Sequence, residues 1–417
     1  MKKIIALVLA VLLVVSLAAC GESGSTNDNA VKADANFKIG AVLIGDENEG
    51  YTYAHIEGIR GAAEALGIAE NQIIWKYTIP EDEICHDTCV DLAEQGCNLI
   101  ITNSYGHQSY CQQAASEYPD IQFVSMTGDT AKASGLANFK NAFTNVYESR
   151  YVAGVVAGMK LQELDKAGKI ADNNKDADGN AKIGYVGAFP YAEVVSGYTA
   201  FFLGLRSVYP KATMQVQYTN SWFDQVAEGE TANALLADGC IIIGQHADST
   251  GAPSAVQAAA ESGKTCFSVG YNVDMLSVAP DVALTSAANV WEKYYEYAFK
   301  TAMAGEQIAT NWAAGYAEGA VKITDLGKAC AEGTQAKVDE VIAAIKAGTL
   351  HVFDTKTFTV GGKEVTSAFA TDTDGDFVPD ADEAIKDGYY HESDCELNQS
   401  APSFQLRIDG IVEKTAE

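Results

Sequence analysis

From residue 37 onward, short apolar runs alternate with longer segments whose apolar residues recur at helical spacing. Runs at 37–44, 73–77, 99–102, 122–126 and 136–139 predict strands, and the amphipathic segments 53–66, 82–95 and 109–118 predict helices between them. A strand–helix–strand order of this kind builds a parallel sheet with helices on both faces. After a helical segment at 147–164 the cycle begins again. Strands are expected at 182–186, 213–218, 240–244, 265–269 and 283–286, and helices at 193–208, 224–237 and 252–262. The pattern predicts an α/β protein of two doubly wound, Rossmann-like lobes. Ligands of such sheets bind beyond the carboxyl ends of the strands, which places a site in the cleft between the lobes.

The N-terminus follows different rules. Lys2 and Lys3 precede an apolar run at 4–15, and Leu17-Ala18-Ala19-Cys20 follows. This is a signal peptide, residues 1–19, ending in a bacterial lipobox whose Cys20 thiol is expected to carry a diacylglyceryl group. The apolar run is shorter than the ~20 residues a membrane span needs. Residues 20–36 are polar and lack aromatics, so they are expected to form a lipidated, flexible tether. The protein is thus expected outside the cytoplasm, lipid-anchored to the cell membrane.

The remaining four hundred or so residues suit two domains better than one. The formal charge is −28, and loss of the signal leaves 26 basic against 56 acidic residues. Such a surface disfavours nucleic acid and anionic lipid as partners. Eight cysteines follow Cys20, none in a CxxC pair, so no structural zinc is expected. Cys240 and Cys266 each open an apolar run and could meet as neighbours; two buried thiols is the preferred reading. The polar segment 172–180 (DNNKDADGN) looks like a cation loop but lacks the closing glutamate, and is read as a solvated turn. The acidic run 372–382 (DTDGDFVPDAD) is read as a solvated hairpin.

Catalytic signatures are near misses. Gly263-Lys264-Thr265 ends like a Walker A loop, but Ala258 stands where its first glycine belongs and the segment precedes a strand rather than a helix. There is no GxSxG and no HExxH. His246 alone among the six histidines sits at a strand end, where it is read as a ligand contact. No cofactor or metal is expected. The strand ends instead carry aromatics and neutral polar groups. They are Glu49, Tyr51 and Thr52 after the first strand and Ser104 after the third. In the second lobe they are Phe189, Trp222, Asp224, Gln245, His246, Asp248, Asn272 and Asp274. Aromatic faces sandwich flat rings, and Asn and Asp pair with ring nitrogens and exocyclic groups, so this set suits a nucleobase better than a phosphate, which would want Arg or Lys.

The segments GDENEGYTYAHIEG, ESRYVAGVVAGMK, IGYVGAFPYAEVVSGYTAFFLGLRSVYP, NSWFD, QHADSTGAPSAVQAA and LTSAANVWEKYY resemble the basic membrane lipoprotein family of ABC-transporter substrate-binding proteins, in particular its purine-binding branch. The resemblance runs from about residue 37 to 323. It implies a type I periplasmic-binding-protein fold with three crossovers and delivery of nucleosides or bases to a permease and its ATPase. It also implies that Tyr51 is a stacking ring, with Trp222 or Phe223 as the second wall, and that Asn272 and Asp274 stand where the family has an Asp pair. Where nucleoside receptors carry a ribose-contacting lysine this chain has Asn289, a departure that favours a free base.

The expected organisation is a first lobe of 37–145 plus 289–312 and a second of 146–286 plus 313–417, with crossing strands near 141–147, 286–289 and 309–315 acting as a hinge. The protein is expected to be a monomeric receptor that binds a purine base or nucleoside. Two other classes remain open: a ligand-sensing lipoprotein, and an extracellular nucleoside-cleaving enzyme using His246 and Asp248.

Overall fold

The computed structural model describes residues 35–372, 378–394 and 399–414. The lipobox Cys20, most of the tether, Cys395 and the middle of the acidic run lie outside the described residues.

The chain begins β1 (Ile39–Val42), α1 (Gly50–Leu66), β2 (Ile73–Lys76), α2 (Glu83–Glu94), β3 (Leu99–Thr102), α3 (Gln108–Glu117), β4 (Gln122–Met126), α4 (Ala131–Ser134) and β5 (Phe139–Thr144). A second series follows: α5 (Val146–Lys166), β6 (Ala181–Gly187), α6 (Ala192–Val208), β7 (Ala212–Tyr218), α7 (Gln225–Ala237), β8 (Ile242–Gln245), α8 (Gly251–Glu261), β9 (Phe267–Tyr271) and β10 (Ala283–Asn289). Then come α9 (Glu292–Met303), β11 (Asn311–Ala314), β12 (Val321–Ile323), α10 (Thr334–Lys346), four short strands β13 (Phe369–Thr371), β14 (Ala381–Glu383), β15 (Ile385–Lys386) and β16 (Tyr389–Tyr390), and β17 (Ile411–Lys414).

The first sheet has the order β11-β5-β4-β3-β1-β2 and is parallel throughout. The second has the order β12-β10-β9-β8-β6-β7-β17, parallel except where β12 returns against β10. The chain passes between the sheets three times, from β5 into α5, from β10 into α9 and from β11 into β12. Strands β1, β3, β4 and β5 are buried at every position, because helices cover both faces of the sheet. That is why they read as continuous apolar runs rather than alternating ones.

The glycines of the segment YVAGVVAG have a packing reason. A side chain at Gly154 of α5 would collide with the backbone of Phe201, and one at Gly204 of α6 with that of Tyr151, so the two helices approach backbone to backbone. Helix α5 is accordingly buried around most of its circumference.

The structure departs from the sequence pattern in several places. The strand expected at 136–139 starts only at Phe139 and runs to Thr144, because Gly135 turns left-handed (φ +69°) and the Asn138 amide ties the chain to three carbonyls, those of Ala115, Tyr118 and Ile121. The strands expected from Cys240 and Thr265 begin two residues later, after the left-handed turns at Gly239 and Gly263. Helix α9 was not expected. It packs on α1 in the first lobe, where Gly58 leaves room for Trp291.

All the described cysteines are free thiols, Cys240 and Cys266 included. In the segment 172–180, the Asp176 carboxylate accepts from the amides of Asp178 and Asn180, closing a tight turn between Lys175 and Ala181. The chain after α10 is built onto the second lobe. Phe404 is fully buried and stacks on Phe353 with centroids 4.3 Å apart, and Asp409 accepts from Thr359 Oγ1 and the amides of Gly361 and Gly362. The last strand, β17, pairs in parallel with β7 and covers the sheet edge.

Candidate functional site

A cavity of about 380 Å³ lies between the carboxyl ends of the two sheets. Its first-lobe wall begins at α1. Glu49 caps that helix, accepting from the amides of Tyr51 (2.9 Å) and Thr52 (2.8 Å), and this orders the turn that places both Glu49 and Tyr51 on the cavity. Tyr51 is fixed further: its hydroxyl donates to the carbonyl of Asn103 at 2.8 Å, and its ring stands edge-on to His55 at 4.5 Å.

The opposite wall is aromatic. Phe189 stacks on Tyr191 at 5.2 Å and meets Trp222 edge-on at 5.1 Å; Tyr191 and Trp222 face the cavity with Phe189 behind them. Across the cleft, Tyr105 of the first lobe lies 5.9 Å from Tyr191. The lobes also meet where the amide of Gly50 donates to the carbonyl of Asp248 at 3.2 Å.

Between the walls converge carboxyl groups rather than cations. Burial raises Glu49 to about 7, and raises Asp248 well above the usual carboxylate range, with Glu49, Glu228 and Glu193 nearby adding to the effect. Asp129, which accepts from Tyr105 Oη and Gln108 Nε2, is raised by burial as well. His246 is pulled down to about 4 by burial and by the Arg150 charge, so at neutral pH it is uncharged and its Nε2–H donates to Glu193 at 2.7 Å. Arg150 lies behind the cavity, its guanidinium 3.5 Å over the Tyr271 ring and its Nη1 donating to Tyr185 Oη and the carbonyl of Gln245.

Asp248 is held by a one-way chain of donors that starts at the crossovers. Thr144 Oγ1, at the end of β5, donates to Asn289 Oδ1 (2.5 Å); Asn289 Nδ2, at the end of β10, donates to Asn272 Oδ1 (2.9 Å); Asn272 Nδ2 donates to Asp248 Oδ1 (2.8 Å). Asp248 so held lines the cavity. Asn272 sits at φ +60°, a conformation asparagine tolerates better than most residues.

Of the residues singled out from the sequence, Glu49, Tyr51, Ser104, Trp222, His246 and Asp248 line the cavity. The others do structural work beside it. Thr52 Oγ1 accepts from Asn103, and the Gln245 amide is turned onto the carbonyls of Ala247 and Ser249. Asn272 and Asn289 position Asp248. Asp224 caps α7, and Asp274 is exposed and caps the amide of Leu276. Sequence reasoning missed Gln108, Asp129, Thr130 and Glu193, and it does not single out Tyr105, Tyr191 and Tyr271, although they stand in the strand-end segments it draws on. Most of these lie at or just beyond strand carboxyl ends, so applying the strand-end rule to every strand, β4 included, would have found them. The lining residues contributed by the C-terminal segment carried no such signal.

Comparison with known proteins bears on the family and the fold. The family described as ABC transporter substrate-binding protein PnrA-like (Bmp) matches residues 43–356. A purine-binding protein of Brucella abortus is 32% identical over 325 residues, which cover 78% of this chain and 85% of that protein. A putative ABC transporter glucose-binding protein of Haloferax volcanii is 31% identical over 246 residues, covering 59% of this chain and 56% of that protein. Among solved structures, an ABC solute-binding protein from Aeropyrum pernix superposes with a TM-score of 0.62 at 16% identity, over 76% of this chain and 93% of its own. One from Conexibacter woesei gives 0.56 at 19% identity, over 76% and 98%. At such identities the structures establish the fold alone, a type I periplasmic-binding-protein fold of two Rossmann-like lobes. The family match spans most of the chain, and the protein belongs to the Bmp family of PnrA-like ABC transporter substrate-binding proteins.

Proposed function

We propose that the protein is the lipid-anchored, extracytoplasmic receptor of an ABC importer and that its cavity holds a purine, with a free base preferred over its nucleoside. The observation that carries this reading is the Tyr191–Trp222 wall facing Tyr51 and the buried carboxyls of Glu49 and Asp248. A flat ring stacks on the first. A neutral carboxyl presents a donor and an acceptor side by side, the complement of a ring nitrogen next to an exocyclic amine. The purine-binding relative supports the same choice. At the position where nucleoside receptors carry a ribose-contacting lysine stands Asn289, committed to Thr144 and Asn272.

An aromatic wall beside carboxyl groups also accepts a sugar ring, and the archaeal relative is named for glucose. Mass spectrometry of solute released from denatured protein, followed by calorimetry with adenine, guanine, hypoxanthine, their nucleosides and glucose, tests the reading. Bases are expected to bind at least as well as the matching nucleosides; binding of glucose alone would overturn it. Overnight incubation with inosine is expected to release no base, whereas base release would favour a nucleoside-cleaving enzyme.

Two variants check the walls. Loss of one stacking ring costs about 1 to 3 kcal/mol, so Tyr51→Ala and Trp222→Ala are each expected to weaken purine binding roughly ten- to a hundred-fold. Asp274→Ala, outside the cavity, is expected to leave affinity within a factor of about two. Anchoring is checked separately: Cys20→Ala is expected to shift the protein from the membrane fraction to a released or unprocessed form. Continued membrane association with fatty-acid label incorporated would contradict the lipobox.

A further inference from the structure

The family match ends at residue 356, yet Gln399, Ala401, Pro402 and Ser403 line the same cavity as the family's own strand-end loops. They do so on a short path between the lobes. Ser400, fully buried, donates through Oγ to the carbonyl of Gly128 at 3.4 Å, on the first-lobe loop that also supplies Thr127, Asp129 and Thr130 to the cavity. Three residues later the chain is locked into the second lobe. The amides of Ser403 and Phe404 donate to the buried Glu392 carboxylate at 3.1 and 2.8 Å, Ser403 Oγ lies 2.9 Å from Tyr390 Oη, and Phe404 enters the core.

Ala401 and Pro402 therefore bridge from a first-lobe contact to a second-lobe anchor with the cavity alongside. Both are buried, and the proline ring fixes its own φ. An exposed surface loop would be open to solvent, and these residues are not.

We infer that residues 399–403 form a third wall of the solute site, with Ala401 and Pro402 as specificity-determining residues that limit the size of the bound solute and Ser400 as the catch that must release when the lobes part. The inference rests on the cavity being the solute site, and its ligand arm uses the purine reading. Ala401 is buried and lines the cavity, so a larger side chain there competes with the solute for that space. Loosening the segment removes a barrier to ligand escape without touching Tyr51, Trp222 or Asp248.

The test compares wild type with Ala401→Trp and with the double variant Ala401→Gly/Pro402→Gly, which keeps the Ser403 and Phe404 anchors should the tryptophan variant fail to fold. Purine affinity by calorimetry is expected to fall at least ten-fold in Ala401→Trp. Dissociation by stopped flow is expected to quicken about ten-fold in the double glycine variant, with its far-ultraviolet dichroism unchanged. In ligand-free protein the double variant is expected to show several-fold faster amide exchange at 128–130. Unchanged exchange overturns the inference whatever the ligand. Faster exchange with unchanged affinity and dissociation also overturns it. If the wild-type protein binds no purine, the purine reading falls, and the strap stands or falls on exchange alone.

Discussion

Asp248→Ala is expected to weaken purine binding strongly, by roughly ten- to a hundred-fold, because removing a buried, hydrogen-bonded polar group costs about 1 to 3 kcal/mol. The change would remove a carboxyl that lines the cavity and leave the Asn272 amide without its acceptor. Asp248→Asn separates the two effects. Its side-chain oxygen still accepts from Asn272, so the loop geometry survives while the carboxyl is lost. Affinity is expected to drop by about ten-fold, with the order of preference among adenine, guanine and hypoxanthine altered. Asn289→Ala, which touches no ligand, is expected to produce a smaller loss of the same character by freeing Asn272. Calorimetry on the three variants and the base panel decides. Equal affinities for wild type and Asp248→Ala would show that Asp248 is not a contact.

The second large effect concerns pH and stability. Burial raises Glu49, Glu148, Glu228 and Glu392 from the ordinary glutamate value to about 7. In the unfolded chain these groups ionise near 4.5, so between the two values the folded state holds protons that the unfolded state has released, and stability falls as pH rises. Buried His55, His107 and His246 are shifted down and act in the opposite sense below about pH 6.5, where the unfolded chain would protonate them. Above pH 6.5 the histidine effect fades within about one unit while the carboxyl effect continues. Raising the pH from 6.5 to 8 is therefore expected to cost the ligand-free protein on the order of 2 kcal/mol, seen as a Tm lower by a few degrees. Glu228→Gln, which keeps an acceptor for the amide of Ser249, is expected to flatten part of that slope. A Tm that is constant or rises over this interval would contradict the assignment.

How far the sequence could be read follows from where its signals come from. Strands buried on both faces and helices with one apolar face announce themselves, so nearly every element from β1 to β10 was legible, with ends displaced by a few residues, at β5, β8 and β9 where Asn138, Gly239 and Gly263 bend the chain. The site was legible through strand ends: Glu49, Tyr51, Trp222, His246 and Asp248 face the cavity because a doubly wound sheet leaves its carboxyl ends uncovered. What pattern cannot show is which polar strand-end residue turns inward. Asn272 and Asn289 have the composition of ligand contacts and are instead consumed in holding Asp248, a distinction set by rotamers and partners. The C-terminal segment was not legible because its short strands lack either periodicity, and its place over the cavity depends on tertiary contacts with residues hundreds of positions earlier.

The pairing of β17 with β7 has a consequence for how the protein is made. Strand β7 ends at Tyr218 and its outer neighbour begins at Ile411, so the second sheet keeps an uncovered parallel edge until the chain has been made past residue 411. Contacts this distant in sequence form slowly, and an unpaired edge is a template for the wrong partner. Removal of β17 would thus leave the cavity residues of both sheets intact but give a chain prone to self-association while it folds.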